Sequence, residues 1–270
     1  MSQTAGLSTR GRRGLGAVMI AGLVIVYVPL TVVVINSFNK SRTFGWPPSG
    51  FTTAWWSRAW HSQGARSALL TSVEAGLGAT AVAMVLGTMA AFAVSRYRFF
   101  GRDTVSFLVL LPIALPGIVT GIALNNAFRV IGIPFGLLTI IIGHATFCIV
   151  LVYNNALARL RRLGGSLEEA SMDLGAGVWQ TFRHVTFPLL RSALVAGSLL
   201  AFALSFDEII VTTFTAAPGV QTLPLWIFAN LFRPNQAPVV NVVAAALIVL
   251  SIVPVWLAQR VSGDSGGGRF

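Results

Sequence analysis

Six stretches of this chain, 17–38, 68–95, 104–125, 135–157, 193–215 and 238–258, are long and apolar enough to cross a bilayer as helices. A hydrocarbon core of about 30 Å asks for about 20 mostly apolar residues per helical span. Barrel strands would alternate with period two over about ten residues, whereas these runs are longer and apolar all round. With 55% hydrophobic and 10% charged side chains in 270 residues, the polar groups are too few to cover a soluble globule. The expected fold is therefore all-α and integral to the membrane: one domain of six transmembrane helices over 17–260, a segment 1–16 before it, and a glycine- and serine-rich flexible tail over 261–270. The first run is too long for the apolar part of a signal peptide and lacks a small-residue cleavage site after it, so it is expected to be retained. The single cysteine, Cys148, lies inside the fourth run, where an internal disulfide is impossible and a buried small hydrophobe is the simplest reading.

A net charge of +11 raises nucleic acid as a partner, but the basic residues sit in short loops rather than on one face of a soluble element, which argues against it. If the N-terminus is cytoplasmic, the inner segments hold Arg10, Arg12, Arg13, Arg96, Arg98, Arg102, Arg159, Arg161, Arg162, Arg183, Arg191, Arg260 and Arg269. The outer segments hold only Lys40, Arg42, Arg58, Arg66, Arg129 and Arg233, several of them in the long first loop, where charge weighs less. Both termini are accordingly expected in the cytoplasm.

That orientation makes segment 39–67 external. Trp55, Trp56 and Trp60 recur there at helical spacing beside Arg58 and His61, as in a helix lying in the interface or a simple aromatic anchor. Segment 216–237 is also external, and Pro218, Gly219, Pro224, Pro234 and Pro238 break any continuous helix through it. The loop 158–191 is cytoplasmic and far longer than a turn between neighbouring helices requires. Ser166 is placed to cap a helix whose first turn carries Glu168 and Glu169, where negative charge suits the positive helix terminus. Leu167, Ala170 and Leu174 follow as a short apolar stripe, with Glu169 and Asp173 on neighbouring positions. Gly175 and Gly177 then permit a turn, and a second amphipathic stretch over 178–185 leads to Pro188, which marks the start of the fifth span. Pattern alone leaves a helix resting on the membrane as an alternative to a docking element.

The order Glu169-Ala170-Ser171, three residues, Gly175, nine residues, Val185-Thr186-Phe187-Pro188 resembles the EAA signature of binding-protein-dependent ABC importer permeases. Every spacing matches, with Ser171 in place of the second alanine, Val185 of the usual isoleucine and Phe187 of the usual leucine. The resemblance implies an ABC transmembrane type-1 domain in a bacterial cytoplasmic membrane. It also implies that Glu168, Glu169, Ala170, Ser171, Asp173, Gly175 and Pro188 belong to a coupling element that docks on a separate ATPase dimer. The other implied partners are a homologous permease subunit and an extracytoplasmic substrate-binding protein. Closure of the ATPase pair would swing the spans between outward-facing and inward-facing states.

Energy is expected from elsewhere. No G-x-x-x-x-G-K-[ST] loop is present, and the only lysine, Lys40, is on the external side, so ATP and Mg belong to the partner and no cofactor is expected here. His61, His144 and His184 are scattered without metal-ligand spacing, and no catalysis is expected of this chain.

Polar groups inside apolar runs are costly in lipid and are functional candidates. Asp207 and Glu208 stand roughly 20 Å along the fifth run from its cytoplasmic end at 1.5 Å per residue, in the outer half. On a continuous helix they point about 100° apart. Glu74 falls in the outer half of the second run. Anionic groups near an outward-facing cavity suit a cationic substrate, while an intramembrane ion pair or helix-helix hydrogen bonds would explain them equally. Ser205 and Thr212 flank the carboxylates; Pro112 and Pro116 should kink the third run, and His144 either lines the route or packs in the core.

Ser205-Phe206-Asp207-Glu208, followed by residues 212–215 and Thr222-Leu223-Pro224, resembles the fifth-span region of spermidine/putrescine permeases. The stretches 110–121 and 143–147 are similar to the same group. Many members carry two aspartates where this chain has Asp207 and Glu208. The resemblance implies import of polyamines; the alternatives are a permease of the same architecture for another small solute, or an ion-coupled carrier working alone.

Overall fold

The computed structural model describes residues 9–43, 45–233 and 236–263; residues 264–270 of the expected flexible tail lie outside these, as do residues 1–8 of segment 1–16, while 261–263 continue the last helix. Among the described residues twelve α-helices follow one another: α1 Thr9–Asn36, α2 Ala54–His61, α3 Gln63–Arg96, α4 Arg102–Ala114, α5 Gly117–Ile131, α6 Leu137–Leu163, α7 Ser166–Asp173, α8 Val178–Thr181, α9 Phe187–Phe206, α10 Ile210–Thr215, α11 Leu223–Asn230 and α12 Ala237–Gly263. A π-helical turn, Phe182–Thr186, joins α8 to α9. Among the described residues, the β-structure is a single bridge between Asn39 and Phe51.

Among the described residues, four helical stretches are long and apolar enough to cross a membrane: Arg13–Asn36, Gln63–Arg96, Leu137–Leu163 and Val178–Phe206. A fifth is obtained if α4 and α5, bent by 106° at their junction, count as one span. The sixth apolar run folds as α12, whose described apolar stretch is Ala237–Ser251.

The described residues divide into two compact units, one up to Ser62 and from Ala229 onward, the other Gln63–Phe228. In the first, α1 and α2 pack on α12. The turn between α1 and α2 is organised by buried Asn39, whose side-chain oxygen accepts the Ser41 and Ser49 amides while its amide donates to Asn36 Oδ1. The three tryptophans of α2 separate in role. Trp55 is buried and donates to the Asn39 carbonyl, Trp56 stacks on Phe38, and Trp60 is 76% exposed. One exposed ring and two folding contacts replace a uniform aromatic face.

In the second unit, α3, α6 and α9 form the core. The buried stripe of α3 is made of small residues, Ala68, Ser72, Ala75, Gly76, Ala79, Ala83, Gly87 and Ala91. Small side chains let membrane helices approach closely, which is how they attract one another in lipid. At Gly87 the approach is between backbones, since a Cβ there would stand 2.9 Å from the Ile149 carbonyl oxygen. Gly87→Val is expected to cost about 1–3 kcal/mol through overpacking; a melting curve of the purified protein in detergent, unchanged from wild type, would contradict this packing. Cys148 is buried and its thiol meets the Ala201 carbonyl.

The third run departs most from a plain span. Pro116 cannot continue a helical ladder and forces the residue before it to extended geometry, as seen in Leu115 at ψ 142°. The expected kink is therefore a full break. In segment 216–237, Pro224 sits in the first turn of α11, where a missing amide costs nothing, so a short helix forms despite the prolines; Pro234 lies outside the described residues.

Candidate functional site

The polar loop between α6 and α9 is fixed by one ion pair. Arg96, at the end of α3, places Nε 2.7 Å from Glu168 Oε2 and donates a second nitrogen to Oε1. Thr186 of the π-helical turn donates its hydroxyl to the same Oε1 at 2.9 Å. Both charged side chains are largely buried, at 19% and 18% exposed, so the pair fastens α7 to the end of α3. Ser171 adds a second tie, 3.1 Å from the Thr181 hydroxyl. Removing one partner of such a hydrogen-bonded pair strands the other, at about 1–3 kcal/mol. Glu168→Ala should accordingly expose α7 to protease in membranes, and unchanged cleavage kinetics would refute the fastening.

The opposite side of α7 is free. Glu169, Ala170 and Asp173 are exposed, as are Leu167, Met172 and Leu174, the last at 90%. Val178 and Trp179 extend this apolar surface onto α8. An apolar patch rimmed by carboxylates on a polar loop marks an interaction surface. The stripe of Leu167, Ala170 and Leu174 is legible in the sequence, and Val178 and Trp179 open the second amphipathic stretch, 178–185; that the two apolar surfaces adjoin depends on the turn at Gly175.

Two expectations for the loop need correction. Gly165 rather than Ser166 precedes the first turn of α7, and no side chain caps it. Pro188 does not begin the fifth helix, because α8, the π-helical turn and α9 run on continuously as Val178–Phe206. A proline at 188 would collide with the carbonyl four residues back in a regular α-helix. The widened turn just before it, where Phe187 N–H donates to the Phe182 carbonyl, accommodates it. Gly175 ends α7 with φ +86°. The Gly175 amide bonds the Met172 carbonyl at 2.9 Å and the Ala176 amide bonds the Ser171 carbonyl at 3.1 Å, which is a Schellman cap.

The fifth run breaks where its carboxylates lie. Helix α9 ends at Phe206, and α10 starts at Ile210. Asp207 and Glu208 are in the break, not 100° apart on one continuous helix. Glu208 Oε1 accepts the Val211 amide at 2.8 Å, satisfying one of the free donors at the start of α10. His144 of α6, fully buried, bridges the gap: Nδ1 is 2.7 Å from Ser205 Oγ and Nε2 is 2.8 Å from Thr212 Oγ1. Thr212 spends its own proton on the Glu208 carbonyl, so Nε2 donates to it and Nδ1 accepts from Ser205. Buried His144, Ser205 and Thr212 thus hold the break in shape. Hydropathy is blind to this break; the signals for it were the β-branched residues crowding 209–215 and a histidine in an apolar run.

The break in the fifth run meets the break in the third. A Cβ on Gly117, just after Pro116, would stand 3.6 Å from Ile210, and one on Gly121 would come within 2.6 Å of the Phe214 ring. Asn125 ties α5 to α10 through the Phe214 carbonyl. Pro116 is exposed and Pro112 half-buried at this junction. Asp207 is exposed and, among the described residues, its carboxylate has no hydrogen bond or ion pair, while its amide donates to the Ala203 carbonyl. Glu74 is likewise exposed and unpaired on α3, beside exposed Leu70 and Leu77. Gly76 of α3 faces Phe202 of α9. The helices run antiparallel, so Glu74 and Asp207 lie within about 5 Å of one another in height at 1.5 Å per residue. No hydrogen bond joins them. The arrangement offers a cation one free carboxylate beside the carbonyl end of α9, where the helix dipole is negative.

Residues 83–263 match the family model described as binding-protein-dependent transport system inner membrane component. The chain is 34% identical over 259 residues to the spermidine/putrescine transport system permease protein PotC of Escherichia coli strain K12, covering 96% of this chain and 97% of that one. It is 34% identical over 239 residues to the putrescine transport system permease protein PotI of the same strain, covering 86% and 84%. A permease protein of Salmonella typhi named for 2-aminoethylphosphonate transport, PhnV, is 32% identical over 257 residues, covering 94% and 95%. Among solved structures, a bacterial ABC transporter involved in the import of the acidic polysaccharide alginate superposes with a TM-score of 0.69 at 20% identity, covering 97% of this chain and 99% of that one, a likeness of fold.

Proposed function

This chain belongs to the family of binding-protein-dependent transport system inner membrane components, and we propose that it is the permease subunit through which an ATP-driven importer takes up spermidine- or putrescine-like cations. It is a transport component of the bacterial inner membrane and not an enzyme. In the proposed arrangement six spans cross the membrane with both termini in the cytoplasm, the domain extends over 17–260, and α7 within the loop 158–191 docks on the ATPase dimer through Glu169, Ala170, Asp173 and the apolar surface beside them. Ser171, Gly175 and Pro188 shape that element. A homologous permease completes the pore, and an extracytoplasmic binding protein delivers the substrate. Energy enters from ATP and Mg on the ATPase, and none is bound by this chain.

The observation that carries the substrate class is Asp207, an unpaired carboxylate at a helix break in an otherwise apolar run, in a chain similar along nearly its whole length to PotC. Glu74, at similar height, adds a second negative charge suited to a diamine. A deletion strain complemented with the gene should regain uptake of labelled putrescine or spermidine. Uptake of 2-aminoethylphosphonate instead would favour a second reading, to which the similarity to PhnV lends support.

A further inference from the structure

We propose that the cleft between the end of α6 and the start of α9 binds the phosphate headgroup of one anionic phospholipid. The cleft has a volume of about 350 Å³ and is lined by Asn154, Asn155, Arg159, Arg162, Ser192 and small alanines including Ala193 and Ala196. Its floor is closed where Gly197 of α9 approaches α6, with the Val152 Cα only 3.3 Å from the place a Cβ would occupy.

Two arginines one helical turn apart repel each other unless an anion lies between them. Each guanidinium is oriented through Nε, Arg159 donating to the Leu189 carbonyl at 2.9 Å and Arg162 to the Ala158 carbonyl at 3.2 Å. Their terminal nitrogens remain for a ligand. Among the described residues the one guanidinium-carboxylate pair is Arg96 with Glu168, so no acidic side chain neutralises this cleft. The Ser192 hydroxyl, with no hydrogen bond among the described residues, is a further donor. Planar, forked donors with a hydroxyl beside them match the tetrahedral oxygens of a phosphate.

The neighbouring surface selects a lipid over free phosphate. Ser192 begins a stripe on α9 that continues through Val195, Ala196 and Leu199 at spacings of three and four. Val195 and Leu199 are each 45% exposed, giving an acyl chain an apolar track away from the arginines. The cleft stands at one end of two apolar helices, the level at which headgroups lie, and basic pockets between membrane helices hold anionic headgroups in this manner.

The test is native mass spectrometry of the assembled transporter purified from membranes containing phosphatidylglycerol and phosphatidylcholine. One phosphatidylglycerol per copy of the chain should survive delipidation, and Arg159→Gln with Arg162→Gln should lower that retention at least tenfold, the factor expected for losing even one charge-assisted contact. Phosphatidylcholine, whose choline cation opposes binding beside two arginines, is retained elsewhere on the protein, and its retention reports whether the variant is folded. Ser192→Phe, filling the cleft from its other wall, should have the same selective effect. Equal phosphatidylglycerol retention in wild type and both variants overturns the proposal, as does displacement of the lipid by inorganic phosphate alone. The outcome is independent of which solute is transported.

Discussion

Gly175→Val should reduce ATP-driven uptake at least tenfold while leaving the membrane spans folded. The backbone at this position has φ +86°, a region that costs an L-residue about 1–2 kcal/mol and a β-branched one more. Nothing lies within 4 Å of a Cβ placed there, so the penalty falls on the backbone alone. To escape it, the chain must give up the Schellman bonds from Gly175 to Met172 and from Ala176 to Ser171, which end α7 and turn the chain toward α8. Helix α7 presents Glu169, Met172 and Leu174, and α8 presents Trp179, so losing the turn separates the two halves of one apolar surface. A fall of about 1.4 kcal/mol in docking free energy is already tenfold in affinity. Gly175→Asn is the informative control, because asparagine tolerates the left-handed region and should retain most of the activity. Copurification of the ATPase, measured for the two variants side by side, separates backbone strain from loss of a contact; equal, wild-type copurification for valine and asparagine would remove the turn from the mechanism.

Asp207→Asn should lower polyamine uptake by about 10- to 100-fold, the factor that corresponds to the roughly 1.5–3 kcal/mol of a hydrogen bond to a charged group. Since the Asp207 carboxylate has no partner among the described residues, the asparagine side chain leaves nothing inside the fold unsatisfied. Glu208→Gln should behave differently. The amide oxygen can still accept the Val211 amide, so α10 keeps its first turn, and uptake should fall far less. Glu208→Ala removes that acceptor and should cost about 1 kcal/mol of stability, as a lost helix cap does. Under the proposed function the two adjacent carboxylates should divide the work, Asp207 meeting the substrate and Glu208 holding the backbone. Equal losses for Asp207→Asn and Glu208→Gln, at equal protein in the membrane, would erase that division.

How far the sequence could be read follows from what each signal measures. Hydropathy located the apolar runs because burial in lipid demands it of every residue in a span. It could not register that the third run turns by 106°, or that the fifth stops at Phe206, since a broken helix is as apolar as a straight one. Pro112 and Pro116 pointed to distortion of the third run, but its extent depends on α5 packing against α10 at Gly117 and Gly121. His144 was legible as a polar group in lipid; its grip on Ser205 and Thr212 required the fold that brings α6 to both sides of the break. The loop was the reverse case. The spacing from Glu169 to Gly175 is the length of a short helix plus its C-terminal cap, so motif and local geometry express one constraint. The tie from Glu168 to Arg96 stayed hidden, because those residues are far apart in sequence and meet only when α7 folds back against the end of α3.

The most direct test is accumulation of labelled putrescine and spermidine in proteoliposomes containing this chain, its partner permease, the ATPase and the binding protein. Accumulation should require ATP and the binding protein, and should fall with Asp207→Asn while ATPase copurification stays intact. Robust transport by this chain without the ATPase, driven by an ion gradient alone, would contradict the account.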